Sequence, residues 1–255
     1  MSIFLEHKRP VVTTMLKSTN TKDIIFDVER AIKEGTDAFC LEIELMETKS
    51  RTASDFKDIF AAMGDKPAYI TDYHRLNIND TEQNDDELTE EMLLALSCGA
   101  KLFDVRGDLF DIQPDELTLD DKAVYKQIEL IKEVHRLGGE VIMSSHPLRF
   151  LNTEYVLKIA KAQESRGTDI VKIVTAANTK QELFENFQTT LALTKEIKAQ
   201  NLFLCIGDYC KPHRMTAPII SNSLYLCVQE GIEVVSQPSM SSAKALMESS
   251  GLKEI

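Results

Sequence analysis

No stretch of this sequence approaches the roughly 18 consecutive apolar residues of a membrane-crossing helix, and the opening MSIFLEHKRP lacks the apolar run of a signal peptide. A cytoplasmic location is the expectation. Positive charge is also scarce: 29 Lys and Arg stand against 41 Asp and Glu, for a formal net charge of −12. That balance argues against a nucleic-acid or membrane-surface role. It also means that an anionic substrate needs a local cationic pocket rather than long-range steering. Metal-binding spacings are missing: there is no HxH or HExxH, and Cys205 and Cys210 stand too far apart for a zinc knuckle. The odd total of five cysteines reads as reduced thiols. No glycine-rich phosphate loop, linker, low-complexity block or basic tail interrupts the 255 residues. These absences leave one domain spanning 1–255, with neither a metal nor an organic cofactor.

What the chain does have is an alternation of short apolar runs with amphipathic helical patterns, repeated eight times. Strands are predicted at 10–16, 38–45, 67–71, 101–106, 140–145, 168–174, 201–206 and 232–236. Between them apolar residues recur at helical spacing. Examples are Ile24, Val28 and Ile32 before Gly35, and Phe184, Phe187 and Leu191 after the capping box Thr179-x-x-Glu182. Eight β-α units in about 250 residues are the count and size of a (β/α)8 TIM barrel of the α/β class. A doubly wound open sheet is the rival, and it lacks its phosphate loop here. The polar stretch from Asn77 to Asp86 follows a strand and is a candidate lid.

Chemistry in such barrels lies at the C-terminal strand ends. The polar residues there are Glu42 and Glu44, Thr71 to Arg75, Asp104 and Arg106, Ser145 and His146, Lys172, Asp208 to Arg214, and Ser236. Lys172 stands out, because it interrupts an apolar run and shares a strand face with Ile170 and Val174. Burying an ammonium is costly unless it is paired, and an amine freed of its proton attacks ketones and aldehydes. A structural lysine paired with a carboxylate at the strand end is the competing reading. His146, fixed at a strand end by Pro147, can carry a proton beside an iminium carbon, with Glu42 to orient it. Glu42, Glu44, Asp104 and His146 offer metal-ligand atoms, but no spacing supports a metal. Glu44 and Arg106, on alternate strands, are expected to neutralise each other.

With these residues assembled, the sequence resembles the type I 3-dehydroquinate dehydratases, cofactor-free (β/α)8 lyases of the shikimate pathway and aromatic amino acid biosynthesis. The resemblance runs from Val11 to about Ala245. It is carried by Leu41-Glu42, Ser144-Ser145-His146, Thr168 to Ile173, and His213-Arg214. It implies that Lys172 forms an imine with the ketone of a hydroxylated cyclic keto acid. His146 then removes the adjacent proton and helps the hydroxyl leave, while Glu42 orients it. Arg214 grips the substrate carboxylate, and Ser236 matches a serine of the loop after the last strand. A homodimer is implied as well.

The departures fall in the substrate clamp. Glu44 and Tyr73 stand where the family has arginines, Met240 where it has a glutamine, and His213 where it has a serine. Arg106 replaces a glutamate, so Glu44 and Arg106 look like one ion pair in reversed polarity, and Arg106 or Arg75 is positioned to compensate for a lost arginine. The expected reaction is dehydration of 3-dehydroquinate or of a related hydroxylated cyclic ketone. The alternatives are a Schiff-base aldolase or dehydratase for another carbonyl compound, and a catalytically silent metabolite-binding paralogue.

Overall fold

The computed structural model describes residues 4–73 and 84–251. Among them, β1 (Val11–Leu16), β2 (Ala38–Glu42), β3 (Ala68–Thr71), β4 (Leu102–Arg106), β5 (Glu140–Ser145), β6 (Ile170–Ala176), β7 (Gln200–Ile206) and β8 (Leu224–Cys227) form one sheet. They alternate with α1 (Thr21–Glu34), α2 (Ala53–Met63), α3 (Asp85–Cys98), α4 (Asp121–Arg136), α5 (Thr153–Ser165), α6 (Lys180–Glu196), α7 (Cys210–Ser221) and α8 (Met240–Ser249). From β1 to β7 each strand pairs in parallel with the next, and β8 lies beside β1, Val11 opposite Leu224. The result is a nearly closed (β/α)8 barrel. No backbone ladder joins β7 to β8 among the described residues.

Local chemistry sets the element ends. Asn20 accepts the Asp23 N–H at the start of α1, and Gly35, at φ 84°, ends it by donating to Ala31 and Ile32. Along the strands the faces alternate. Cys40, Tyr69, Ile142, Ile170, Val174 and Leu204 fill the barrel interior, while Val12, Leu41, Phe103 and Val141 meet the surrounding helices. Each such aliphatic side chain contributes roughly 1.5–3 kcal/mol when withdrawn from water. Lys172 lies between Ile170 and Val174 on the interior face, as its strand alternation predicts.

Three expectations need correction. The eighth strand is Leu224–Cys227, not 232–236. It begins two residues after the left-handed Asn222 that ends α7, whereas Val235 in the β-branched run is 84% exposed. The second strand stops at Glu42, and Ile43–Leu45 turns as a 3-10 helix. The buried face of α6 is Asn186, Thr189, Thr190 and Leu193, while Phe184 and Leu191 are exposed. Thr189 and Thr190 donate to the Glu185 and Asn186 carbonyls of their own helix, which satisfies their hydroxyls and lets this polar face be covered. Arg75 and residues 77–83 of the candidate lid lie outside the described residues. No helix among the described residues is long and apolar enough to cross a membrane.

Candidate active site

The C-terminal ends of the strands surround a cavity of about 150 Å³, lined by Glu42, Tyr69, Tyr73, His146, Lys172, Arg214 and Gln237 among apolar side chains such as Met15, Val174 and Leu226. Lys172 projects into it from β6. Its Nζ donates to the Tyr69 hydroxyl at 2.8 Å, the Tyr73 hydroxyl at 2.9 Å and Asp104 Oδ2 at 3.2 Å. Asp104, on the interior face of β4, is fully buried through its side chain. Its Oδ2 accepts from both phenols, and its Oδ1 accepts from Ser144. The costly buried ammonium is therefore paired, and every oxygen around it has a partner. Burial, followed by the Asp104 charge, pushes both phenols well above their usual range, so they stay protonated.

His146 follows β5. Glu116 Oε2 accepts from both its ring Nδ1, at 2.7 Å, and its backbone N–H, at 2.9 Å. Burial lowers the imidazole below its usual value and the Lys172 charge acts in the same direction, with Glu116 opposing. A neutral ring that donates from Nδ1 to a carboxylate carries its lone pair on Nε2, and Nε2 makes no hydrogen bond among the described residues. The ring meets Tyr73 edge-on, with centroids 5.2 Å apart. The cavity thus holds an amine and a base whose free nitrogen has no competing partner.

Glu116 has no signal in the sequence. It sits at φ 49° in the loop from β4 to α4, a left-handed conformation that costs about 1–3 kcal/mol outside glycine. The loop is held around it. Arg166 donates to the Gly107 carbonyl at 2.9 Å and also to the Thr118 carbonyl, Gln127 donates to the Leu109 carbonyl at 2.8 Å, and Ser145 Oγ donates to the Glu116 carbonyl at 2.6 Å. A Cβ on Gly107 would lie 2.5 Å from that Glu116 carbonyl, so only glycine allows the approach.

The expected partner of His146, Glu42, is elsewhere: it lines the cavity but pairs with Lys17 of the β1 end. The expected Glu44–Arg106 ion pair does not form. The 3-10 turn carries Glu44 off the strand, and its fully buried carboxyl accepts from the Thr71 hydroxyl, at 3.0 and 3.1 Å. Burial, then the Glu42 charge, pushes it up to about 8, which keeps it protonated at neutral pH. Arg106 Nε instead donates to Asp108 at 3.0 Å. Neither Glu44 nor Arg106 lines the cavity.

Arg214, in the first turns of α7, also lines the cavity. Its Nε donates to the Cys205 carbonyl at 2.7 Å, its Nη1 is buried without a partner, and no described carboxylate pairs with it. Gln237 Oε1 is likewise buried without a donor. Both residues also border an adjoining cavity of about 210 Å³, and Ser236 lines that one rather than the Lys172 cavity. The neighbouring His213 turns away, onto Thr190 at 2.9 Å and between Phe187 and Phe203; burial lowers it to about 4. Met240 is buried in the core and absent from the cavity lining. The carboxamide that does line it, Gln237, stands three residues earlier. Among the described residues no group of three His, Cys, Asp or Glu could hold a metal ion.

Comparison with known proteins agrees with this barrel fold. The 3-dehydroquinate dehydratase of Geobacillus kaustophilus HTA426 superposes with a TM-score of 0.83 at 10% identity, covering 98% of this chain and 95% of its own. The type I enzyme of Clostridium difficile, solved with covalent modified comenic acid, gives 0.81 at 13% identity over 96% and 93%. That of Aquifex aeolicus VF5 gives 0.70 at 14% over 94% and 98%. No curated protein sequence matches. At such identities the superpositions establish the fold alone. The model of one family, type I 3-dehydroquinase, matches residues 12–254, and on that match across nearly its whole length the chain belongs to the type I 3-dehydroquinase family.

Proposed function

We propose that this protein is a Schiff-base dehydratase. In this reading Lys172 forms an imine with the ring ketone of 3-dehydroquinate, or of a related hydroxylated cyclic keto acid, and water is then eliminated to give the conjugated enone. For dehydroquinate the product is 3-dehydroshikimate. The observation that carries the reading is the convergence of Lys172, the free Nε2 of a neutral His146 and the unpartnered Nη1 of Arg214 on one cavity. Membership of the dehydroquinase family supports it independently.

The chemistry follows from those three groups. An iminium acidifies the adjacent C–H, and His146 Nε2 takes that proton. The Glu116 carboxylate on Nδ1 stabilises the resulting imidazolium. The enamine electrons expel the β-hydroxyl, to which the imidazolium returns its proton, so the group departs as water. Hydrolysis of the conjugated imine frees Lys172. Arg214 Nη1 and Gln237 Oε1, each lacking a partner in a buried site, suit a substrate carboxylate and a substrate hydroxyl. Gln237 therefore stands in for the carboxamide that the sequence seemed to lose at Met240, while Arg106 and Glu44 stay outside the grip. Homodimer assembly accompanies the family reading, and sedimentation velocity tests it.

Borohydride trapping with 3-dehydroquinate, read by intact mass on wild type and Lys172→Ala, is the direct test. A stable adduct is expected on wild type and none on the variant, with growth of an enone absorbance during turnover. Trapping that persists in Lys172→Ala would sink the assignment of the amine. Wild-type protein that captures no dehydroquinate would remove that substrate.

A further inference from the structure

We infer that Tyr73 is a catalytic residue for the imine-forming steps, carrying protons from the Lys172 nitrogen to the ketone oxygen as that oxygen leaves. The inference rests on the imine reading above and adds a role for a residue that the family pattern fills with arginine.

Imine formation from an ammonium has a fixed proton balance. R–NH3+ and a ketone give the protonated imine and water, so two of the three nitrogen protons must end on oxygen. The first transfer frees the amine, which bonds to the carbonyl carbon while the C=O π bond opens and its oxygen is protonated. The second removes a proton from the carbinolamine nitrogen and delivers one to the hydroxyl. The C–O bond then breaks with its electron pair, and water departs as C=N forms. Both transfers run from nitrogen to oxygen over a short distance. They need a group that accepts from one and donates to the other.

Tyr73 is placed for that task. Its hydroxyl accepts from Lys172 Nζ at 2.9 Å and donates to Asp104 Oδ2, which itself lies 3.2 Å from Nζ. A phenol in this position takes a proton from nitrogen while its own moves on, and the carboxylate holds the proton in transit. Tyr69 makes a similar contact at 2.8 Å and also lines the cavity, but it belongs to β3 itself and has no exposed surface. Tyr73 is half-buried, two residues past the end of β3, and lines the cavity beside His146. His146 Nδ1 is occupied by Glu116, which leaves one free nitrogen for the later C–H step. Two sets of proton transfers thus have two carriers.

The test is the rate at which 3-dehydroquinate forms a borohydride-trappable adduct in a single turnover, read by intact mass, for wild type, Tyr73→Phe and Tyr73→His. Tyr73→Phe keeps the ring and loses only the hydroxyl. It is expected to reach the same final adduct about 100-fold more slowly. Tyr73→His, which restores a proton carrier, is expected to recover at least about tenfold of that loss. Tyr73→Phe at the wild-type rate overturns the inference while leaving Lys172 as the imine former. So does a slow Tyr73→His no better than Tyr73→Phe. Absence of any adduct on wild type, with dehydroquinate and with other hydroxylated cyclic ketones alike, overturns the imine reading and this inference with it.

Discussion

The two ends of the cavity are built on opposite plans. At the amine end, Lys172, Tyr69, Tyr73 and Asp104 satisfy one another, and Glu116 holds His146 by two bonds to a single oxygen. These residues come mostly from strand interiors or from positions just beyond strand ends, where the register is fixed by neighbouring ladders. At the other end, Arg214 and Gln237 come from α7 and the loop before α8, and each keeps a buried polar atom without a partner. A buried donor or acceptor left unpaired costs about 1–3 kcal/mol. A ligand group that meets the unpaired atom relieves that cost. In the proposed reaction the reacting end is organised before substrate arrives, whereas substrate completes the gripping end.

The largest expected effect of breaking this contrast comes from the grip. Arg214→Met keeps the stem that packs among the first turns of α7 and removes the charge. A charge-assisted bond to a carboxylate contributes about 1.5–3 kcal/mol, so KM for 3-dehydroquinate should rise roughly 10- to 150-fold. The rate of borohydride trapping at saturating ketone should change far less, because the amine end has all its partners without Arg214. A variant whose trapping at saturation collapses along with KM would show that the two ends are not independent.

The contrast also governs what was legible beforehand. The barrel, the inward direction of Lys172 and the placement of His146 at a strand end follow from period-two alternation, which the sequence displays directly. The eighth strand was misplaced because Ile232 to Val235 offers a better β-branched run than Leu224 to Cys227; only the ladder to β1 decides between them. The face of α6 was misread because its buried positions carry threonines that bond to their own helix, a pattern invisible to hydrophobic periodicity. Glu116, not the expected Glu42, holds the His146 ring. Strand position placed Glu42 near the site, but Lys17 engages it, and Glu116 arrives on a loop whose path depends on Arg166, Gln127 and Gly107 together. Residues fixed by one strand were readable, and residues fixed by several distant contacts were not.

A smaller effect is expected from Glu116→Gln, which probes whether the preorganised end depends on charge or only on shape. The amide oxygen can still accept from Nδ1, so the ring stays in place while the carboxylate charge disappears. Turnover should fall about 10- to 100-fold with KM nearly unchanged. The sign of the pH effect is fixed. Glu116 raises the His146 pKa against burial, so removing its charge lowers that pKa further. The acid limb of kcat/KM, where the base becomes protonated, should therefore move to lower pH. A limb that stays put would mean that His146 is not the group it reports.

The smallest effect on activity is expected behind the cavity wall, at Glu44, and there the readout is stability. Its carboxyl is pushed from 4.5 up to about 8 by burial and by Glu42. Between those values the unfolded chain has released the proton and the folded protein still holds it, so stability falls as pH rises from 4.5 towards 8. Glu44→Gln keeps the neutral shape at every pH and should flatten that decline by roughly 2–5 kcal/mol, measured by denaturant unfolding across the range. Burial of His213, lowered to about 4, works in the opposite direction below 6.5, and buried Asp72, also raised, adds to the decline, so the difference between wild type and Glu44→Gln is the readout. If Glu44→Gln also raises KM, its carboxyl belongs to the gripping end despite facing Thr71, and the boundary between the two ends has to be redrawn through β3.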